Sequence, residues 1–209
     1  MNLIDAITTT ENMQAAWEWL VSRRGESHYN NDFWFLSERR HRIQNQVISD
    51  LKSGQYHFKP CRVINGMSIW SSQDAWVLKA VALVLTKFLK NRLSPYCYHL
   101  PERGGTKAYI RQTQACVRQF KFVCRSDVNS YYANVNHCIL MRQLKQWIKN
   151  DTVLLLIERM LNRLDECNGK TYTIDRGLSK GNPLSPVLGA VYLYELDHRI
   201  GTYLSLIHI

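Results

Sequence analysis

The stretch from Ala75 to Leu89 is the longest apolar run in the chain, and Lys79 and Lys87 interrupt it. It is too short and too charged to cross a membrane, so its apolar surface has to be covered by the rest of the chain. The spacing predicts a helix that starts near Ser72, carries Trp76, Val77, Ala80, Val81, Val84 and Leu85 inward, and ends near Leu93-Ser94-Pro95. Asp74 falls in its first turn, where the helix dipole favours an acid. A chain of 209 residues is long enough for one substantial domain or two subdomains sharing a core.

The other elements follow from periodicity and turn chemistry. Helices are expected over Asn12–Leu20 and from about Asp32 to Lys52, the second with Phe35, Leu36, Ile43, Val47 and Leu51 on one face and Gly54 at its C-terminal cap. Its other face holds Arg39, Arg40 and Arg42, a pattern that suits either a solvated face or phosphate contact. Gln55 to Trp70 reads as short strands and turns, with Asn65-Gly66 as a hairpin signal. A Gly-rich loop, Pro101 to Gly105, leads into a basic helix from Thr106 to Gln119. Lys121 to Asp127 reads as a strand, His137–Lys149 and Val153–Leu164 as helices, Thr171–Ile174 as a strand after the Asn168-Gly169 turn, and Pro183 onward as a helix through Leu196. Helices first, then strand–helix–helix–strand–helix, predict an α+β fold with an antiparallel sheet.

Lys and Arg outnumber Asp and Glu by 27 to 17, a formal charge of +10. Such a balance suits a polyanionic partner, because each cation that neutralises a phosphate releases condensed counterions. The six cysteines form no Cys-x-x-Cys pair and have no histidine at zinc spacing, so reduced, mostly buried thiols in a cytoplasmic protein are expected instead of a disulfide framework. The opening stretch, Met1–Leu20, has no basic n-region and no small-residue cleavage site, and neither a signal peptide nor a membrane partner is expected.

Two stretches carry chemistry. In Phe122-Val-Cys-Arg-Ser-Asp127-Val-Asn-Ser-Tyr-Tyr132-Ala-Asn-Val-Asn-His137, an apolar segment ends in a carboxylate, an aromatic follows five residues later, and a polar turn opens a helix. A carboxylate at such an end is where a hard cation would be held, although the same residue type also serves as a turn or helix cap. In Asp175-Arg-Gly177-Leu-Ser-Lys180-Gly181-Asn-Pro183-Leu-Ser185-Pro186-Val-Leu-Gly189-Ala, glycines flank a lysine in a loop that opens a helix. Backbone N–H groups at a helix N-terminus suit phosphate, and prolines are tolerated in its first turn. The spacing is not that of a Walker loop, and an ordinary capped loop would look similar.

Taken together, in this order and about fifty residues apart, the two stretches resemble the motifs of bacterial reverse transcriptases of the group II intron and retroelement type. Gly177-Leu-Ser-Lys-Gly181-Asn-Pro-Leu-Ser-Pro186 matches that family's Gly-x-x-Gln-Gly-Ser/Asn-Pro-Leu-Ser-Pro pattern except at Lys180, where the family has Gln. Val191-Tyr-Leu-Tyr-Glu195-Leu-Asp197 is similar to the usual continuation. Upstream, Ile69 to Ala80 and His99 to Lys107 resemble the fingers segment and the Gly-rich loop before the palm. Within the family, the variant most resembles retroelement-like enzymes outside mobile introns.

The resemblance implies a right-hand polymerase without its thumb: an N-terminal helical extension over 1–30, fingers over 31–120 and a partial palm with an antiparallel sheet over 121–203. It implies an RNA-directed DNA polymerase that transfers a nucleotide from dNTP to a primer 3′-hydroxyl on an RNA template. Asp127 and the Val128 carbonyl would hold Mg²⁺, or Mn²⁺ in its place. Tyr132 would exclude a ribose 2′-hydroxyl, and Lys180, Gly181 and Pro183 would line the nucleotide. Arg62, Arg103, Lys107 and Arg111 are candidates for the triphosphate and nucleic acid. The family's second carboxylate pair, an aromatic-x-Asp-Asp turn, does not occur before Ile209, and Leu204–Ile209 departs from the family and reads as a non-native tail. The expectation is therefore an N-terminal fragment, inactive alone. The alternative is an RNA-binding, maturase-like or degenerate module.

Overall fold

The computed structural model describes residues 2–26, 31–122 and 125–203. Helix α5 (Ser72–Leu89) runs through the core as its apolar pattern requires, and Trp76, Val77, Ala80 and Leu85 are fully covered. The Ser71 side chain caps it by accepting from the Asp74 N–H. Against it lie α1 (Leu3–Ile7) and α2 (Thr10–Arg24), whose buried residues are Met13, Ala16, Trp17 and Leu20. Two polar ties fix their register. Trp76 Nε1 donates to the Met13 carbonyl at 2.9 Å, and the Asn12 amide donates to the Ile7 and Ala80 carbonyls.

The helix expected from Asp32 to Lys52 is two helices, α3 (Asn31–Glu38) and α4 (Arg40–Ser53), separated by the non-helical Arg39. The break lets each half serve a different neighbour. Phe33 of α3 stacks on Trp17 beside α5, while α4, with Val47 and Leu51 buried, packs on α1 and on α8 (Asp151–Leu161). Gly54 caps α4 in the left-handed conformation, as its sequence position suggested. Helices α7 (His137–Trp147) and α8 (Asp151–Leu161) are capped by the side chains of Asn136 and Asn150. Arg159 of α8 donates to the Gly54 and Tyr56 carbonyls, tying α8 to the chain leaving α4.

The sheet has the order β2-β1-β3-β4, from β1 (Cys61–Ile64), β2 (Met67–Ile69), β3 (Leu164–Cys167) and β4 (Lys170–Thr173). The β1–β2 hairpin turns at Asn65 and Gly66, both with positive φ, as that dipeptide favours. The sheet differs from the expected antiparallel one because β1 and β3 pair in parallel. The chain leaves β2 and re-enters at β3 only after α5 to α8, and so long a crossover permits the parallel pairing. Strand β3 has no counterpart in the sequence reading, whose helix over Val153–Leu164 reaches only its first residue. The predicted strand at Lys121–Asp127 is not one among the described residues. Phe122 is 90% exposed and no described strand lies alongside to complete a ladder, while Val123 and Cys124 lie outside the described residues. The helix expected onward from Pro183 is likewise two, α9 (Ser185–Tyr192) and α10 (Tyr194–Tyr203), and the Trp147 ring meets Tyr194 edge-on at 4.7 Å. Among the described residues no helix is long and apolar enough to cross a membrane.

Asp74 shows what burial costs this core. Its carboxylate accepts from Tyr56 Oη, the Lys59 N–H and Ser71 Oγ, yet burial still holds its pKa above the ordinary value. An acid whose folded value exceeds its unfolded one contributes most stability below the unfolded value and loses that contribution as pH rises through the folded one. The stability of the wild type relative to Asp74→Asn, from urea unfolding between about pH 4 and 7, therefore falls as pH rises. A difference that grows with pH would refute this. Asp74→Ala, which strands the Tyr56 hydroxyl, lowers stability by about 2–3 kcal/mol near pH 4, and this loss too shrinks as pH rises.

Candidate active site

The two chemistry-bearing stretches meet through their backbones. Residues 131–134 form a turn of 3₁₀-helix, and the chain then crosses the segment before α9. The Leu178 N–H donates to the Tyr132 carbonyl at 2.7 Å, and the Gly177 N–H to the Val135 carbonyl at 2.8 Å. His137, at the start of α7, donates from Nε2 to the Gly177 carbonyl at 2.9 Å. This approach requires glycine. Gly177 has φ +87°, and a Cβ there would stand 2.9 Å from the Ala133 oxygen and 3.0 Å from that of Tyr132.

Beyond Gly177 the loop folds onto itself and onto β2. Ser185 Oγ donates to the Ser179 carbonyl, and the Asn182 side chain accepts from the Leu184 N–H, setting the entry to α9. Trp70 Nε1 donates to Ser179 Oγ, which in turn meets the Ser68 carbonyl at 3.4 Å. Ser68 is held from behind, because its hydroxyl donates to Asp165 of β3, and Arg163 donates to that same carboxylate at 3.2 Å. Leu178, Ser179 and Asn182 are buried, while Lys180 and Gly181 form an exposed tip and Pro183 is half-buried. A Cβ on Gly181 would approach the Ser68 oxygen to 3.2 Å.

Tyr131 and Tyr132 pack under α9. Tyr131 Oη donates to the Gly189 carbonyl at 2.6 Å, and a Cβ on Gly189 would lie 3.2 Å from the Tyr132 ring. Burial raises the pKa of both phenols, so both stay neutral hydroxyls. Tyr132 is thus anchored beside the loop that carries Lys180, Gly181 and Pro183.

The remaining candidates are placed differently. Asp127 and Val128 lie in the segment 125–130, which is exposed throughout. Among the described residues no group of three or more His, Cys, Asp or Glu side chains could hold a metal. One carboxylate and one carbonyl do not make a Mg²⁺ site, because that ion keeps its waters unless several anionic oxygens compete for it. Asp197 is buried in α10, 3.8 Å from the Cys97 thiol. Arg62 is exposed on β1. Lys107 and Arg111 are exposed one turn apart on α6 (Gly105–Val117), and Arg103 donates to the Lys90 carbonyl beyond α5. The reading of isolated motifs missed Ser68, Trp70 and Tyr131. Only their folded positions bring them to the loop, although Tyr131 stands in the first motif stretch and Trp70 in the Ile69–Ala80 segment.

This arrangement can be set beside known structures. A chain of a partial Cas6-RT-Cas1–Cas2 complex superimposes with a TM-score of 0.63 at 21% identity, over 97% of this chain and 36% of that one. A chain of a Cas6-RT-Cas1–Cas2 complex gives the same score and identity over 22% of its length. The fold is of the reverse transcriptase type. Low-identity relatives include the putative COX1/OXI3 intron 1 protein of Saccharomyces cerevisiae, 19% identical over 98% of this chain and 26% of its own length. Protein YkfC of Escherichia coli is 22% identical over 76% of this chain and 45% of its own length. The chain therefore spans less than half the length of these relatives. No protein-family model matches it.

The junction at Gly177 yields a paired test. Gly177→Ala adds the left-handed strain and a backbone clash, and lowers stability by about 2 kcal/mol or more. Gly169→Ala, at φ +73° with nothing within 4 Å of the added methyl, costs about 1 kcal/mol. Equal losses in chemical denaturation would show that the close approach to Tyr132 and Ala133 is not tight.

Proposed function

We propose that the chain is the fingers and the front part of the palm of an RNA-directed DNA polymerase. Residues 1–30 would be an N-terminal extension, 31–120 the fingers and 121–203 palm. The observation that carries the reading is the hydrogen bond from the Leu178 N–H to the Tyr132 carbonyl, with its companion at Gly177. Two sequence-distant stretches that together resemble a nucleotide site are one physical unit.

In this reading the half-buried Tyr132 ring is a wall against the sugar of an incoming nucleotide. The ring lies against Gly189 of α9, where an added Cβ would stand 3.2 Å from it. A ribonucleotide differs from a deoxyribonucleotide there by one hydroxyl, and a fixed ring discriminates by volume. The exposed tip at Lys180 and Gly181 offers a cation and backbone N–H groups to the nucleotide's phosphates, and Pro183 turns the chain into α9. Asp127 and the Val128 carbonyl would be this chain's contribution to a Mg²⁺ or Mn²⁺ site that needs further carboxylates. Arg62, Lys107 and Arg111, all exposed, would meet the triphosphate or the template–primer backbone. Arg103, committed to Lys90, serves the fold first.

Primer extension on an RNA template by the full-length protein tests the proposal. Asp127→Asn reduces synthesis to background, while Tyr132→Ala keeps synthesis and raises rNTP incorporation relative to dNTP by about tenfold or more. Unchanged sugar selection in Tyr132→Ala would remove the gate assignment. The 209-residue chain alone, with one candidate carboxylate, does not extend a primer.

A second reading, an RNA-binding maturase-like module, is favoured by the basic balance of +10 and by the lone, exposed Asp127. Salt-steep RNA binding by the full-length protein, without synthesis, would select it.

A further inference from the structure

Ser179 ties the 177–183 loop to the β1–β2 hairpin. Its hydroxyl accepts from Trp70 Nε1 at 3.1 Å and donates to the Ser68 carbonyl at 3.4 Å. Its carbonyl closes the loop from the other side, accepting from Ser185 Oγ at 2.7 Å and from the Asn182 N–H at 3.3 Å. The two residues that follow it, Lys180 and Gly181, are the exposed tip. A Cβ on Gly181 would stand 3.2 Å from the Ser68 oxygen, so the tip has little room to move toward the hairpin. The Trp70 bond keeps the loop from moving away.

Trp70 is not free to follow a displaced loop. It is 2% exposed and lies between β2 and the Ser71 cap of α5. Arg24 Nη2 donates to its carbonyl at 2.8 Å, and the Phe58 ring meets its indole edge-on at 5.5 Å. Ser68 is fixed in turn by the Asp165 carboxylate and by Arg163 Nη2. Packing alone does not need this chemistry, because apolar groups of the same shape would fill both buried positions at similar stability. What a hydrogen bond adds is direction. The Trp70–Ser179 pair therefore specifies where the loop sits, beyond stabilising it.

We propose that Trp70 is a positioning residue of the nucleotide site. Through Ser179 it sets where the Lys180 charge and the Gly181 N–H meet the phosphates of an incoming dNTP, and it touches no nucleotide itself. The inference rests on the proposed polymerase reading. Contacts that line a nucleotide alike in the ground and transition states change KM and leave kcat. Loss of the Trp70 bond weakens dNTP binding, because the tip then samples positions from which its charge and N–H groups no longer converge.

Two readouts test this. The first is trypsin cleavage after Lys180 in the full chain, which needs no synthesis. Cleavage after Lys107, exposed on a helix with no buried residue, is the internal reference. Trp70→Phe keeps an aromatic ring against Phe58 and loses the donor. It should speed cleavage after Lys180 relative to Lys107 by about fivefold or more. The second readout is primer extension by the full-length protein, where Trp70→Phe should raise KM for dNTP about three- to tenfold and hold kcat within about twofold. Ser179→Ala should do the same. The double variant should exceed Ser179→Ala alone by less than about twofold, because both changes remove the same bond. An unchanged cleavage ratio in Trp70→Phe, a fall in kcat at constant KM, or independent effects in the double variant overturns the assignment. A full-length wild type that makes no DNA overturns the polymerase reading and the nucleotide role with it, whereas the cleavage ratio decides separately whether Trp70 holds the tip.

Discussion

The contact between Gly177 and the Tyr132–Ala133 carbonyls sets the distance between the two halves of the site. Backbone meets backbone there with no side chain between, and the hydrogen bonds of Gly177 and Leu178 close only at that separation. The Tyr131 hydroxyl reaches Gly189, and His137 reaches the Gly177 carbonyl, from the same side of this junction. A wider spacing breaks these bonds together, because they share one rigid segment. Hydrogen bonds that fail together behave as a unit, not as a sum of small terms.

The loop's far side is positioned by a different device, a buried polar chain. Arg163 and Asp165 hold the Ser68 hydroxyl, while Ser68's carbonyl and the Trp70 indole hold Ser179. Such a network is costly to bury unless nearly every member is satisfied. Here Arg163 Nη1 alone lacks a partner. Because Ser68 and Trp70 bond Ser179 directly, the hairpin helps set the position of the exposed tip at Lys180 and Gly181 without passing through α9.

The parts of this design that sequence could show are those governed by neighbours along the chain. Asn65-Gly66 declares its turn, Gly54 its cap and Ala75–Leu89 its burial because each depends on local geometry or on period. The two motif stretches were legible as chemistry, and their meeting was implied by a resemblance, but the Gly177 contact itself was not readable. Strand β3, Leu-Asp-Glu-Cys, has little intrinsic strand preference and exists because β1 and β4 flank it. The break at Arg39 is equally non-local, since it depends on α3 and α4 having different partners. Trp70 and Ser68 acquire their roles only from where β2 lies against the loop.

The site is also unevenly built. Tyr132, Leu178 and Ser179 are fixed by buried bonds and packing, so their conformational entropy has already been lost in folding. Asp127 sits in an exposed segment outside any described strand. Ordering that segment costs about 1 kcal/mol or more per residue, and only a neighbour that completes its hydrogen bonds or a cation that draws in its carboxylate can offset this. The preformed half is the one that carries Tyr132 and the loop from Gly177 to Pro183. The half that would gather charge stays solvated, which spares a lone carboxylate the penalty of burial without a counter-ion. Such a chain orders its packed half on folding and leaves Asp127 to be ordered by whatever completes that segment.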